Sequence, residues 1–223
     1  MLGPASKLAL FRPTICLVSH MSVYPKNYID PIFKKDQQEA LKTSGEHLKI
    51  AHIPIKAARN NDTVSVFHDD VISKFTNYIM RKGDKLLARD LLDKSFEQIK
   101  RVQLEKYNTA KTEEEKAKIQ TNPKEILHQA IENSRPLLQL TPIKRGGVTY
   151  QVPVPITINR SNFMAMKWII EAANEKERTI HFPQKLAWEL LDAASNQGRV
   201  VKRKQDLHKQ CEANRAYAHY RWS

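Results

Sequence analysis

The sequence predicts a mainly α protein: a helical domain with a projecting β-hairpin arm, preceded by an extended N-terminal segment. Three observations carry that expectation. Apolar residues recur at helical spacing from about Asp69 onward. The period changes to alternation between Leu138 and Ile158, around the pair Gly146-Gly147. No internal repeat and no series of strand runs is present that could build a parallel sheet.

The elements follow in chain order. Met1 to Ile29 carries Lys7, Arg12 and Lys26 among Ser6, Ser19 and Ser22, and the first acidic residue is Asp30. Basic, hydroxylated and acid-poor is the pattern of a mitochondrial presequence, expected over residues 1–22, although Pro4 and Pro13 interrupt its helix. Residues 23–66 show no sustained period and contain Pro25, Pro31 and Pro54. They read as an extended arm that orders on a partner. The helical domain occupies 67–223.

Its first helix carries Val71, Ile72, Phe75 and Ile79 behind an acidic first turn at Asp69 and Asp70. A short basic loop, Arg81 to Lys85, separates it from a second helix marked by Leu91, Leu92, Phe96 and Ile99. A solvated insertion near 107–121 has almost nothing to bury. Asn122 can then cap a third helix with Pro123 at its first position, and that helix ends before Pro136.

Near 138–158, Ile143, Arg145, Gly146-Gly147, Val148, Tyr150, Val152 and Val154 predict a hairpin, because both glycines can take positive φ. Pro153 and Pro155 lie two apart and lack donors on one side, which suits an exposed edge. Three helices follow. One is marked by Phe163, Met166, Ile169, Ile170 and Ala173. The next is marked by Ala187, Leu190, Leu191 and Ala194, with Gly198 as its stop. The last runs from about Lys204 to Tyr220.

The chain has 37 Lys and Arg against 24 Asp and Glu, a formal charge of +13. Such an excess favours a polyanionic partner. The only cysteines, Cys16 and Cys211, make neither a disulfide framework nor a zinc ligand set. No apolar run approaches the roughly 18 residues that span a bilayer. Of nucleic acid and an acidic membrane surface as polyanionic partners, nucleic acid is expected and no membrane. No phosphate-binding loop or nucleophile elbow occurs. His208 and Glu212 share a helical face, but two candidate ligands without a second cluster do not make a metal site. Neither catalysis nor a cofactor is expected.

The informative charge is local. No acidic residue lies between Glu132 and Glu171, a window that holds Lys144, Arg145, Arg160 and Lys167. Lys202, Arg203, Lys204, Arg215 and Arg221 concentrate charge near the C-terminus. Cations on protruding elements neutralise phosphates, and Tyr150 can stack on an unpaired base. RNA is preferred to DNA because no helix-turn-helix, zinc or basic-zipper pattern occurs.

Gly146-Gly147-Val148-Thr149-Tyr150-Gln151-Val152-Pro153-Val154 resembles the glycine-rich hairpin of the small-subunit ribosomal protein seven family. Met164 to Ile169 is similar to that family's following helix, and Asp206 to Trp222 to its C-terminus. The resemblance spans about Asp69 to Trp222. It implies a six-helix domain, binding to the head domain of the small-subunit rRNA, and a place near the tRNA exit site and the mRNA exit path. Neighbouring ribosomal proteins are implied as partners. Contacts through the hairpin and the first helices add Arg81, Lys82 and Lys85 to the candidate rRNA-binding residues. Where the family commonly has Gly-Lys-Lys, this chain has Gly83-Asp84-Lys85, an acidic residue at one of the implied phosphate contacts. Ile143 stands near an often basic position, so a weaker grip is expected there. The long N-terminal segment and the insertion look like the family's mitochondrial branch, implying a mitochondrial ribosome. A free RNA-binding factor in rRNA maturation or translational control is the alternative.

Overall fold

A computed structural model describes residues 24–25, 27–59 and 62–222; the expected presequence lies outside them. Two compact units divide at Asp69.

In the first unit, α1 (Lys35–Ser44) and the single-turn α2 (His47–Ile50) interrupt otherwise extended chain. The α1 helix has no buried residue. Its Lys, Gln, Glu, Leu and Ala content favours a helix without creating an apolar stripe, so periodicity does not reveal it. Gly45, at φ +72°, ends it in the left-handed conformation. A parallel bridge joins Ile29 to Ile55, and Lys56 pairs with Asp30 at 2.9 Å. None of the unit's described residues is buried.

The second unit holds α3 (Asp70–Ile79), α4 (Lys85–Thr109), the short α5 (Glu113–Lys118) and α6 (Pro123–Ser134). Strands β1 (Leu138–Arg145) and β2 (Val148–Pro155) follow, then α7 (Ile158–Asn174), α8 (Phe182–Ala194) and α9 (Gly198–Ala213). A 3-10 segment, Arg215–Arg221, closes the chain. Six long helices and one hairpin therefore match the expected architecture. The core gathers around α8, whose Leu186, Ala187, Leu190 and Ala193 are buried. Helices α4, α6, α7 and α9 all pack on it.

Local chemistry sets the helix starts. The Asp69 carboxylate accepts the Val71 and Ile72 amides at 2.8 and 3.4 Å and also meets His128 of α6 at 2.5 Å. Burial raises its pKa, but the His128 contact and the two amides outweigh that and leave it below the usual value. Asn122 accepts the Lys124 amide and Pro123 opens α6, as the sequence predicts.

Several helix boundaries differ from expectation. The second helix begins at Lys85, because Asp84 caps it through the Leu87 amide at 3.1 Å. Leu86 and Leu87 are exposed there, and the buried stripe begins at Ala88. The helix also continues to Thr109, inside the segment read as insertion. The stop after α8 is Asn196, at φ +57°, whereas Gly198, at φ +89°, opens α9. A Cβ on Gly198 would sit 2.9 Å from Asp192 Cβ, so only glycine permits this turn. Finally, α9 covers Gly198–Ala213 rather than running to Tyr220.

The hairpin closes through Gly146 at φ +55° and Gly147 at φ +85°, with Arg145 opposite Val148. Around a two-residue turn the flanking pair is hydrogen-bonded, and bonded pairs recur every second residue. Pro142, Pro153 and Pro155 all fall at the alternate positions, so they remove no ladder bond. Their donor-free outer edges instead oppose the addition of a third strand.

Candidate nucleic-acid interface

Alternation divides the hairpin's side chains between two faces. Ile143, Arg145, Val148, Tyr150 and Val152 share one; Pro142, Lys144, Thr149 and Gln151 share the other. Val152 is fully buried, and the Tyr150 ring lies 5.1 Å from both Tyr217 and Tyr220. In a 3-10 helix residues three apart eclipse each other, which turns these two tyrosines the same way. The C-terminal segment thus lies along one face of the hairpin. Lys144, Thr149 and Gln151 stand exposed on the opposite face. Lys144 and Arg145, adjacent in sequence, therefore leave the arm in opposite directions. Tyr150, nominated as a base-stacking residue, packs on the C-terminal tyrosines.

The root of the arm is clamped on both sides. Ile156 N–H donates to Leu137 O at 3.1 Å, and the Ser161 hydroxyl donates to Pro136 O at 2.7 Å. His208 Nε2 accepts the Leu137 amide at 3.1 Å, which requires the neutral ring protonated at Nδ1. That bond occupies the lone pair a metal would need. Among the described residues no group of three or more His, Cys, Asp or Glu is placed to hold a metal ion. Burial, and then the nearby Lys204 charge, push the His208 pKa below its usual value.

Because its folded-state pKa is depressed, the contribution of His208 to stability is complete above about pH 6.5, the unfolded value. It is lost as pH falls below that toward the folded value. His208→Leu should lower the melting temperature at neutral pH, with a loss of about 0.5–1.5 kcal/mol for one hydrogen bond. The gap between wild type and variant should then narrow on acidification. Melting curves recorded across this pH range check it; a constant gap would contradict the assignment.

The candidate cations separate into two groups. Arg81, Lys82 and Lys85 are exposed around the α3–α4 loop. Lys82 at φ +53° and Gly83 at φ +82° make its turn. Asp84 is engaged as the α4 cap, where a negative charge favours the helix end. The Arg160 guanidinium lies 5.1 Å from the Phe163 ring centroid, and that of Arg221 4.0 Å from Trp222. Lys144, Lys202 and Arg215 are exposed and have no carboxylate partner among the described residues.

Two candidates are engaged internally. Arg203 donates to Glu171 at 2.6 Å and lies over Trp168, within a 510 Å³ cleft between α7 and α9 that also contains the Arg199–Glu175 pair. Lys204 donates to the Asn133 carbonyl at 2.6 Å, at the end of α6. Asn133 in turn donates to Ala193 O and Ala194 O at 3.0 and 2.8 Å, satisfying the end of α8. Sequence reasoning misses Asn133, Ser161 and the tyrosine trio, since their partners lie 25 or more residues away and no local pattern marks them.

Lys202 and Lys204 therefore predict opposite phenotypes. Lys204→Met should cost about 1.5–3 kcal/mol of stability, the range for a charge-assisted hydrogen bond, and leave the salt dependence of RNA binding unchanged. Lys202→Ala should leave the melting temperature unchanged and make that salt dependence shallower. Thermal melts beside a KCl titration separate the two.

Residues 50–215 match the family model described as Ribosomal protein S7p/S5e. The chain is 60% identical over 203 residues to the Small ribosomal subunit protein uS7m of Drosophila melanogaster, covering 91% of each chain. It is 47% identical to that of Xenopus laevis, covering 100% of both. The Small ribosomal subunit protein uS7 of Anaeromyxobacter sp. (strain K) is 37% identical, over 70% of this chain and 89% of its own.

Proposed function

The chain belongs to the Ribosomal protein S7p/S5e family, and from that premise we propose that it is a structural constituent of the mitochondrial small ribosomal subunit. It works without catalysis, binding the head domain of the small-subunit rRNA. There it supports head assembly and translation near the tRNA exit site, with tRNA and mRNA passing close by. Its setting is the mitochondrial matrix. The acid-poor leader supports that setting, as does the greater similarity to the uS7m relatives than to the bacterial uS7.

One observation carries the RNA-binding reading: a hairpin clamped at its root presents Lys144 on one face and Arg145 on the other. An arm held rigidly and charged on both faces suits insertion between phosphate backbones. Arg81, Lys82, Lys85, Arg160, Lys202, Arg215 and Arg221 extend the contact. Arg203, Lys204 and Tyr150 act by positioning these elements. Phosphate contacts of this kind position the protein, while RNA shape supplies the recognition.

Sucrose-gradient sedimentation of mitochondrial lysate at high salt tests the assignment. Stable co-migration with small subunits is expected. Release into light fractions would indicate a free RNA-binding factor instead.

A further inference from the structure

Helix α3 has two unlike faces. Phe75, Thr76 and Ile79 are buried, while Lys74 and Tyr78 stand at the surface one helical turn apart. Tyr78 is 42% exposed, so its ring is only partly used in packing. It meets Phe163 of α7 edge to face, with centroids 5.4 Å apart and planes at 71°. Arg160, one turn before Phe163, places its guanidinium 5.1 Å from the same phenyl ring. Arg160 has no carboxylate partner among the described residues. Only Ile156 and Thr157 separate β2 from α7, so this patch adjoins the root of the arm.

Resting on the rRNA-binding reading, we propose that Tyr78, Phe163 and Arg160 form a subsite for one unpaired nucleobase. The base stacks on the open part of the Tyr78 ring, and its flanking phosphates meet Arg160 and Lys74. The edge-to-face contact holds the Tyr78 ring in a defined orientation before RNA arrives. A paired base lies within its own helical stack and offers no face, so the ligand is a bulged or loop nucleotide. Arg160, on a stretch free of acidic residues from Asn133 to Ile170, and the exposed Lys74 of α3 favour a nucleotide over an apolar protein side chain. This subsite differs from the rest of the interface in reading a base rather than only phosphate.

The test compares two single-stranded probes of equal charge on the full chain, an adenosine dodecamer and an abasic ribose-phosphate dodecamer, by fluorescence anisotropy at several KCl concentrations. Wild type should prefer the base-bearing probe by about tenfold, within the range measured for one base–aromatic stack. Tyr78→Ala should abolish that preference without altering the salt slope, and Tyr78→Phe should retain it. Tyr78→Leu, which keeps apolar contact with Phe163 but has no π face, should behave as Tyr78→Ala; it guards against a folding defect. A purely structural role predicts the same probe preference in every folded variant, and that result would overturn the subsite. Photocrosslinks from this patch to protein rather than to RNA in intact small subunits would also overturn it. Absence of the chain from small subunits would refute the ribosomal reading while leaving the probe ratio intact.

Discussion

Replacing Lys144 and Arg145 together by alanine should weaken binding to small-subunit rRNA by about two orders of magnitude near 0.1 M salt, if each contacts one phosphate. The estimate follows from counterion release: each neutralised phosphate contributes a slope of about 0.9, equivalent to about eightfold at that concentration. The slope of log affinity against log salt should fall by about 1.8 for the pair. Because the two side chains leave opposite faces of the arm, their separate effects should add. Both residues lie beside the turn and away from the buried Val152, so the melting temperature should stay near the wild-type value. Filter binding of the head-domain rRNA across a KCl series measures the slope directly. Unchanged affinity at every salt concentration would remove the hairpin from the interface.

The largest stability effect should come from Leu190→Ala. Leu190 is fully buried on α8, the helix against which α4, α6, α7 and α9 pack. Truncation there removes apolar burial and leaves a cavity bordered by several elements, none of which can relax independently. A loss of about 2–5 kcal/mol is expected, out of the roughly 5–15 kcal/mol typical of a domain. For this chain length that corresponds to a fall in melting temperature of roughly 5–20 °C. Circular dichroism at the helical minimum follows it. A shift below about 2 °C would mean that α8 is not the centre of the core. Well below the transition, the salt slope for RNA should match wild type, since no surface cation has moved.

Local signals placed most of the helices. Asp69 and Asn122 are caps whose partners lie within three residues, and Gly146-Gly147 is a turn whose geometry is intrinsic to glycine. Such features can be read from a window of residues because the physics acts within that window. Helix α1 escaped because a helix with no buried face leaves no apolar period. At the start of α4 the loop read through Lys85 overlaps the helix by one residue, because the Asp84 cap sets that boundary while the buried stripe begins only at Ala88.

The interface shows the same division. The sequence by itself determined that the chain is helical with a two-stranded arm, that the arm's tip is basic, and which family it belongs to. The first two depend on residue type and short spacing, and the family on the resemblance of whole motifs. Only the tertiary structure decided which cations are available. Lys204 and Lys202 are two residues apart and alike in sequence, yet one satisfies the end of α6 and the other faces solvent. It also decided that Tyr150 packs against Tyr217 and Tyr220, and that Tyr78 and Phe163 form an aromatic pair. Charge is fixed by covalent chemistry, but its availability depends on partners that folding brings from distant parts of the chain.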